Sequence, residues 1–149
     1  MIIHLIDIPE EGMQIEGEEP SSILQLTGDP ASAISPIRYS MHVGVTETGL
    51  FAVGKLAVDV ECTCVRCLEK FQRPIERPDF ATQIELQNRE TVDLTDEVRE
   101  DILLALPAHP HCNWNGEKAC KADFPIAIDP EKAAKDRREV WKGLDKLKL

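Results

Sequence analysis

The strictest pattern in the chain is the alternation of Ile37, Tyr39, Met41, Val43 and Val45 with Arg38, Ser40, His42, Gly44 and Thr46. A period of two sets one group against a core and the other in water, the mark of an antiparallel strand with one covered face. Thr46-Glu47-Thr48-Gly49 reads as a hairpin connection, with Gly49 free to take a positive φ. The return strand places Leu50, Ala52, Leu56, Val58 and Val60 on one face and runs into Cys62, Cys64 and Cys67. Beyond Pro74 and Pro78, Phe80, Thr82, Ile84 and Leu86 alternate again, so the cysteine-bearing turn is expected to join two strands. Nearer the N-terminus, Ile2, His4, Ile6 and Ile8 share a strand face, with Ile3 and Leu5 opposite. Gly12, Gly17 and Pro20 then punctuate a turn-rich stretch, and Ile23, Leu24 and Leu26 predict a further short strand.

The period changes only later. Thr95 reads as an N-cap, Asp96 and Glu97 suit the positive helix end, and Val98, Ile102, Leu103 and Leu106 recur at helical spacing until Pro107. A second helix is expected over 130–147, opened by Asp129-Pro130 and carrying Ala133, Val140, Trp141, Leu144 and Leu147 on its apolar face. The expected fold is therefore α+β. A curved or barrel-like antiparallel sheet fills 1–90, a short helix over 95–106 packs on it, and the C-terminal helix follows. The whole of 1–149 is expected to form one domain.

Composition supports an aliphatic core, since 42% of residues are hydrophobic but only 5% aromatic. The net charge of −10 is unevenly spread. Residues 1–36 carry seven acids, among them Glu16, Glu18 and Glu19, and no Lys or Arg, whereas the end of the chain from Glu131 is basic. An acidic front repels phosphate and suits a basic protein partner, while Arg137, Arg138 and their lysine neighbours are placed to meet RNA. Met1 to Ile8 is apolar but short, lacks a positive leader and runs into Pro9-Glu10-Glu11. No apolar run approaches the ~18 residues of a membrane helix. Five cysteines without a recognisable leader point to a reducing, cytoplasmic setting.

Cys64-Val65-Arg66-Cys67 has the two-residue spacing with which a tight turn aims two sulfurs at one ion. Cys112 and Cys120 would complete four thiolates around a structural zinc, with His109 and His111 as substitute ligands. Seven residues separate the second pair, against the usual two to four, and 44 lie between the pairs, so zinc and unmetallated thiols both stay open. A redox dithiol fits poorly, because such pairs open a helix after a strand, and here the turn lies between strands with Glu61 and Glu69 nearby. The four histidines form no metalloprotease or nucleophile pattern, and no glycine-rich loop follows a strand. Trp114 reads as a packing residue near the cysteines, or as an anchor for a partner if exposed.

Two segments carry a family resemblance. Cys64-Val65-Arg66-Cys67-Leu68, with Phe71 and Pro74-Ile75, resembles the Cys-x-Arg-Cys-Leu segment of the YceD family, the large-ribosomal-subunit RNA accumulation proteins. Asp93-Leu94, Val98, Glu100 and Asp101 to Pro107 resemble that family's acidic helix ending in Leu-Pro, and Cys112 falls where many members place a further cysteine. The resemblance covers roughly residues 50–120 and implies a non-catalytic role in large-subunit biogenesis, on a basic ribosomal protein or a pre-ribosomal particle. It carries no catalytic residue. Arg66 on the turn is a candidate RNA contact. The alternatives are a zinc- or thiol-dependent enzyme, or a cytosolic zinc-binding adaptor unconnected with ribosomes.

Overall fold

The computed structural model describes residues 1–26, 31–86 and 89–122. Seven strands are found there: β1 (Ile2–His4), β2 (Met13–Glu19), β3 (Ala31–Ala33), β4 (Ile37–Val45), β5 (Leu50–Thr63), β6 (Lys70–Ile84) and β7 (Thr91–Asp93). One helix, α1 (Thr95–Ala105), and two 3-10 turns, Leu5–Asp7 and Ser21–Leu24, complete the described elements. The helix expected over 130–147, with Arg137 and Arg138, lies outside the described residues.

β5 is the axis of the larger sheet. Along one edge it pairs first with β4, from Val45↔Leu50 to Arg38↔Ala57, and then with β3, from Ala33↔Val60 to Ala31↔Cys62. Its other edge pairs with β6 along almost its full length. β2 extends the sheet beyond β4, and β1 with β7 forms a separate antiparallel ribbon. Among the described residues all pairings are antiparallel, so the α+β expectation holds, but the sheet is not closed into a barrel: β2 pairs there only with β4, and β6 only with β5.

Burial follows the period of two. Ile37, Met41 and Val43 of β4 and Leu50, Ala52, Leu56, Val58, Val60 and Cys62 of β5 face one core, covered by Leu24 and by Val98 and Ile102 of α1. Arg77 of β6 donates to Asp101 of α1 through Nε and Nη2, one bidentate edge of its guanidinium, at 2.8 and 3.1 Å, fixing the helix against the sheet. The acid-rich run before α1 works as a cap. Asp93 accepts from the Thr95 backbone N–H at 3.0 Å and from its hydroxyl, so Asp93 takes the role expected of Thr95.

β6 runs through both prolines instead of beginning after them. Pro74 is tolerated because β6 is an edge strand, where a missing N–H need not break a ladder. Near Pro78 the register slips: Gly54 faces Phe80 while Leu56 faces Arg77, leaving an extra residue on β6. The bulge changes which parity points inward, from Phe71 and Ile75 before it to Phe80 after it.

Three local expectations are corrected. Leu5–Asp7 is a 3-10 turn that ends the N-terminal strand at His4, because β7 offers only three partners; Ile6 is left 93% exposed. Ser21–Leu24 is likewise a 3-10 turn, which drops Leu24 into the core. Gly49 is not in the left-handed region; it is needed because a Cβ there would sit 2.3 Å from the Ile84 carbonyl oxygen. Gly54 answers the same demand more severely, with Ser40 O and Met41 Cα at 2.3 and 2.4 Å from its would-be Cβ. Gly54→Ala is therefore expected to destabilise the protein by about 3 kcal/mol in urea unfolding, through backbone displacement of β4.

Candidate metal centre

The turn between β5 and β6 is tightly specified by its backbone. Cys64 N–H donates to Glu69 O at 2.9 Å, and Leu68 N–H donates to Cys64 O at 3.0 Å. Closing so short a turn forces Leu68 to φ +60°, a left-handed conformation in which its side chain is 75% exposed. The segment after α1 then comes back across this turn, where Val65 N–H donates to Pro110 O at 2.9 Å. That bond delivers Cys112, and the loop beyond it delivers Cys120. Glu69 holds the far end of the loop through its ion pair with Lys121, with Lys118 at 3.9 Å.

The result is a cluster of four sulfurs. Cys64, Cys67, Cys112 and Cys120 place their Sγ atoms within 4.8 Å of one another, and three of the four residues are buried. Two contacts cross between the two halves: Cys67 to Cys112 at 3.7 Å and Cys64 to Cys120 at 4.0 Å. These are not disulfides, and all the cysteines are free. A tetrahedral ion held by thiolates at ~2.3 Å would have sulfur–sulfur edges of about 3.8 Å. The spacing is thus compatible with a metal site. The irregular seven-residue gap between Cys112 and Cys120 is absorbed by a loop that turns at Gly116, φ +78°.

Electrostatics divides the four thiols. Burial alone would push Cys64 up, but the backbone N–H groups of Cys67, Cys112 and Arg66 aim at its sulfur and bring it down to about 5. Burial, reinforced by the sulfurs of Cys120, Cys67 and Cys64, pushes Cys112 up to about 12. At Cys120 the Ala122 N–H and the Cys112 thiol favour the thiolate, yet burial and the sulfurs of Cys67 and Cys64 carry the group upward overall. The backbone thus favours the thiolate at Cys64, where a cation would be drawn, and burial opposes it at Cys112 and Cys120.

The remaining candidates fall elsewhere. His109 and His111 are not in the sulfur cluster; they line a pocket of about 390 Å³ beside it, together with Arg66 and Cys120. Cys62 is buried in the core, where desolvation raises its thiol despite the nearby Arg73. Glu16 and Glu18 are exposed on β2, with Glu16 accepting from the Ser40 hydroxyl at 2.9 Å, and Glu19 is half-buried at the strand's end. His42 is half-buried and packs against Phe51, ring centroids 5.9 Å apart.

Arg73, which lines the same pocket, escaped the sequence reading. Its signal was present, for it shares a strand parity with Phe71 and Ile75 and so stands among inward-facing positions. Its guanidinium carbon lies 5.1 Å from the Trp114 ring centroid, so the indole serves as a platform for a cation.

Because Leu68 gains no packing from its strained backbone, Leu68→Gly is expected to stabilise the turn by about 1 kcal/mol, seen as a raised Tm. A scan against protein-family models finds no match, and neither do searches of curated proteins and of solved structures.

Proposed function

We propose that this protein is a non-catalytic factor in large-ribosomal-subunit biogenesis, in which a structural zinc ion fixes the surface that meets a ribosomal protein or a ribonucleoprotein intermediate. One observation carries the reading. The cysteine turn that resembles the YceD family and Cys112, the further cysteine that the resemblance places after the 93–107 helix, are distant in sequence but meet at a single clasp, through the Val65–Pro110 hydrogen bond and the Cys67–Cys112 approach. Segments that resemble a family and also build one another's surroundings form a coherent unit.

Zinc suits the donor set, being borderline-soft and tetrahedral with thiolates. Four cysteine ligands leave no open position for water or substrate, which favours a structural over a hydrolytic role. Bound there, the ion would cross-link the β5–β6 turn to the segment after α1. For a macromolecular partner, the exposed carboxylates of Glu16 and Glu18 on the edge strand β2 suit a basic ribosomal protein. The setting proposed is the cytoplasm. No described helix is long and apolar enough to cross a membrane.

Elemental analysis is expected to give one zinc per chain, and Cys112→Ser to abolish it and destabilise the fold by about 4 kcal/mol or more. Zinc affinity is expected to rise from pH 6 to 8, roughly tenfold per pH unit for each proton displaced, because Cys112 and Cys120 must lose their raised protons to bind. Full-length protein without zinc would refute the metal. For the assembly role, the protein is expected to co-sediment with large-subunit precursors, with binding that weakens steeply between about 0.1 and about 1 M salt and on Glu16→Lys with Glu18→Lys. Absence from those precursors would refute it.

A further inference from the structure

The pocket beside the cysteine cluster has a chemistry of its own. It measures about 390 Å³, within the ~300–1,000 Å³ range of small-ligand sites, and its walls come from β6, the cysteine turn and the loop after α1. The side chains that shape it are Arg66, Arg73, His109, His111, Asn113 and Trp114. In a chain of net charge −10, no Asp or Glu lines it among the described residues.

Three features define what it accepts. Two guanidiniums offer planar, multiply donating cations, the groups best matched to phosphate oxygens. Arg73 lies over the Trp114 indole, and the indole is still 39% exposed, so planar stacking surface reaches solvent. Among the described residues the Nε of Arg73 is buried without a hydrogen-bond acceptor. The guanidinium of Arg73 is therefore held by the indole and by no described anion, which leaves its charge uncompensated beside the pocket. An inorganic anion would use the charge but leave the aromatic surface idle. A nucleotide uses both, its phosphate on the arginines and its base on the Arg73–Trp114 stack.

We infer that this pocket binds a nucleotide unit of single-stranded RNA, with Arg66 and Arg73 on the phosphate and Trp114 beneath the base. The choice of RNA rests on the assembly role proposed above; the pocket itself specifies a base joined to a phosphate. The stacking surface is sequence-tolerant, since every base presents a π face, and it excludes duplex, whose bases are already stacked. Asn113 and the two imidazoles supply edge donors and acceptors around the base.

The test uses the zinc-loaded full chain and the anisotropy of a labelled single-stranded oligouridylate, with UMP, inorganic phosphate, duplex RNA and an oligoglutamate peptide as competitors. Wild type is expected to bind the single strand, UMP to compete better than phosphate, and duplex RNA to compete poorly. Trp114→Ala and Arg73→Gln should each weaken binding at least about tenfold, and Trp114→Phe should retain most of it. Zinc stoichiometry is measured on every variant, so that an arginine serving merely as counter-charge to the thiolates is recognised by lost metal. Binding unchanged in zinc-replete Trp114→Ala and Arg73→Gln would overturn the inference, as would oligoglutamate competing as well as the RNA. Binding of UMP with none of the oligouridylate would assign the pocket to a free nucleotide and overturn its use on RNA. The two readings fail separately: particle association without oligouridylate binding sinks only the pocket, and RNA binding without particle association sinks only the assembly role.

Discussion

The pairing of β5 with β6 is the interaction on which the rest of this structure depends. It runs from Leu50↔Ile84 to Thr63↔Lys70, and the turn at its end holds Cys64 and Cys67. β5 also receives β3 and β4 on its other edge, so a change in β5 register would turn its core residues outward and move the cysteine turn at the same time. The helix is held to this hairpin through Arg77 and Asp101, and the segment after the helix through Val65 and Pro110. The four sulfurs meet because that hairpin is long, tightly turned at its end and tied to the helix and to the segment after it.

The clasp joins elements of different character. Strand pairing is cooperative and satisfies its own backbone groups. The loop that carries Cys112 and Cys120 has no ladder, and it is held by a backbone bond at Pro110, the Glu69–Lys121 pair and the sulfurs themselves. Mutual contact among thiols contributes little, and an exposed ion pair is typically worth ~0–1 kcal/mol. A bound cation would therefore be the strongest constraint on this loop, and the position of Trp114 within it would follow from that constraint.

The parts of the fold that were legible in the sequence are those with uniform, one-sided burial. β4 spans Ile37–Val45, where the alternation begins and ends, because both its neighbours are regular antiparallel strands. β6 was obscured by Pro74 and Pro78, whose cost depends on whether a strand is central or at an edge, a tertiary fact. The bulge then inverted the parity of its inward positions, so no single alternation describes it. Leu24 was recognisable as apolar, but strand and 3-10 turn are equally served by Ile23, Leu24 and Leu26 until the covering partner is known. At the site, the residue types identified the cysteines correctly, whereas their spacing could not convey distance, since Gly116 and the path through α1 decide it. Arg73 was hidden by its charge: an arginine between Phe71 and Ile75 reads as a surface interruption until Trp114 is seen beneath it.

The crossing of the close sulfur pairs has a consequence for the order of synthesis and assembly. Cys64 and Cys67 are neighbours on one short turn, and each also meets a sulfur from the other half of the site, Cys120 and Cys112. A nascent chain that ends before Cys112 owns a local two-thiol half-site, and one that ends before Cys120 owns three ligands. Completion waits for a long-range loop closure, entropically the slowest kind of contact to form. Metal capture at this cluster would therefore be a late checkpoint, passed only by a chain whose hairpin, helix and following loop have all arrived.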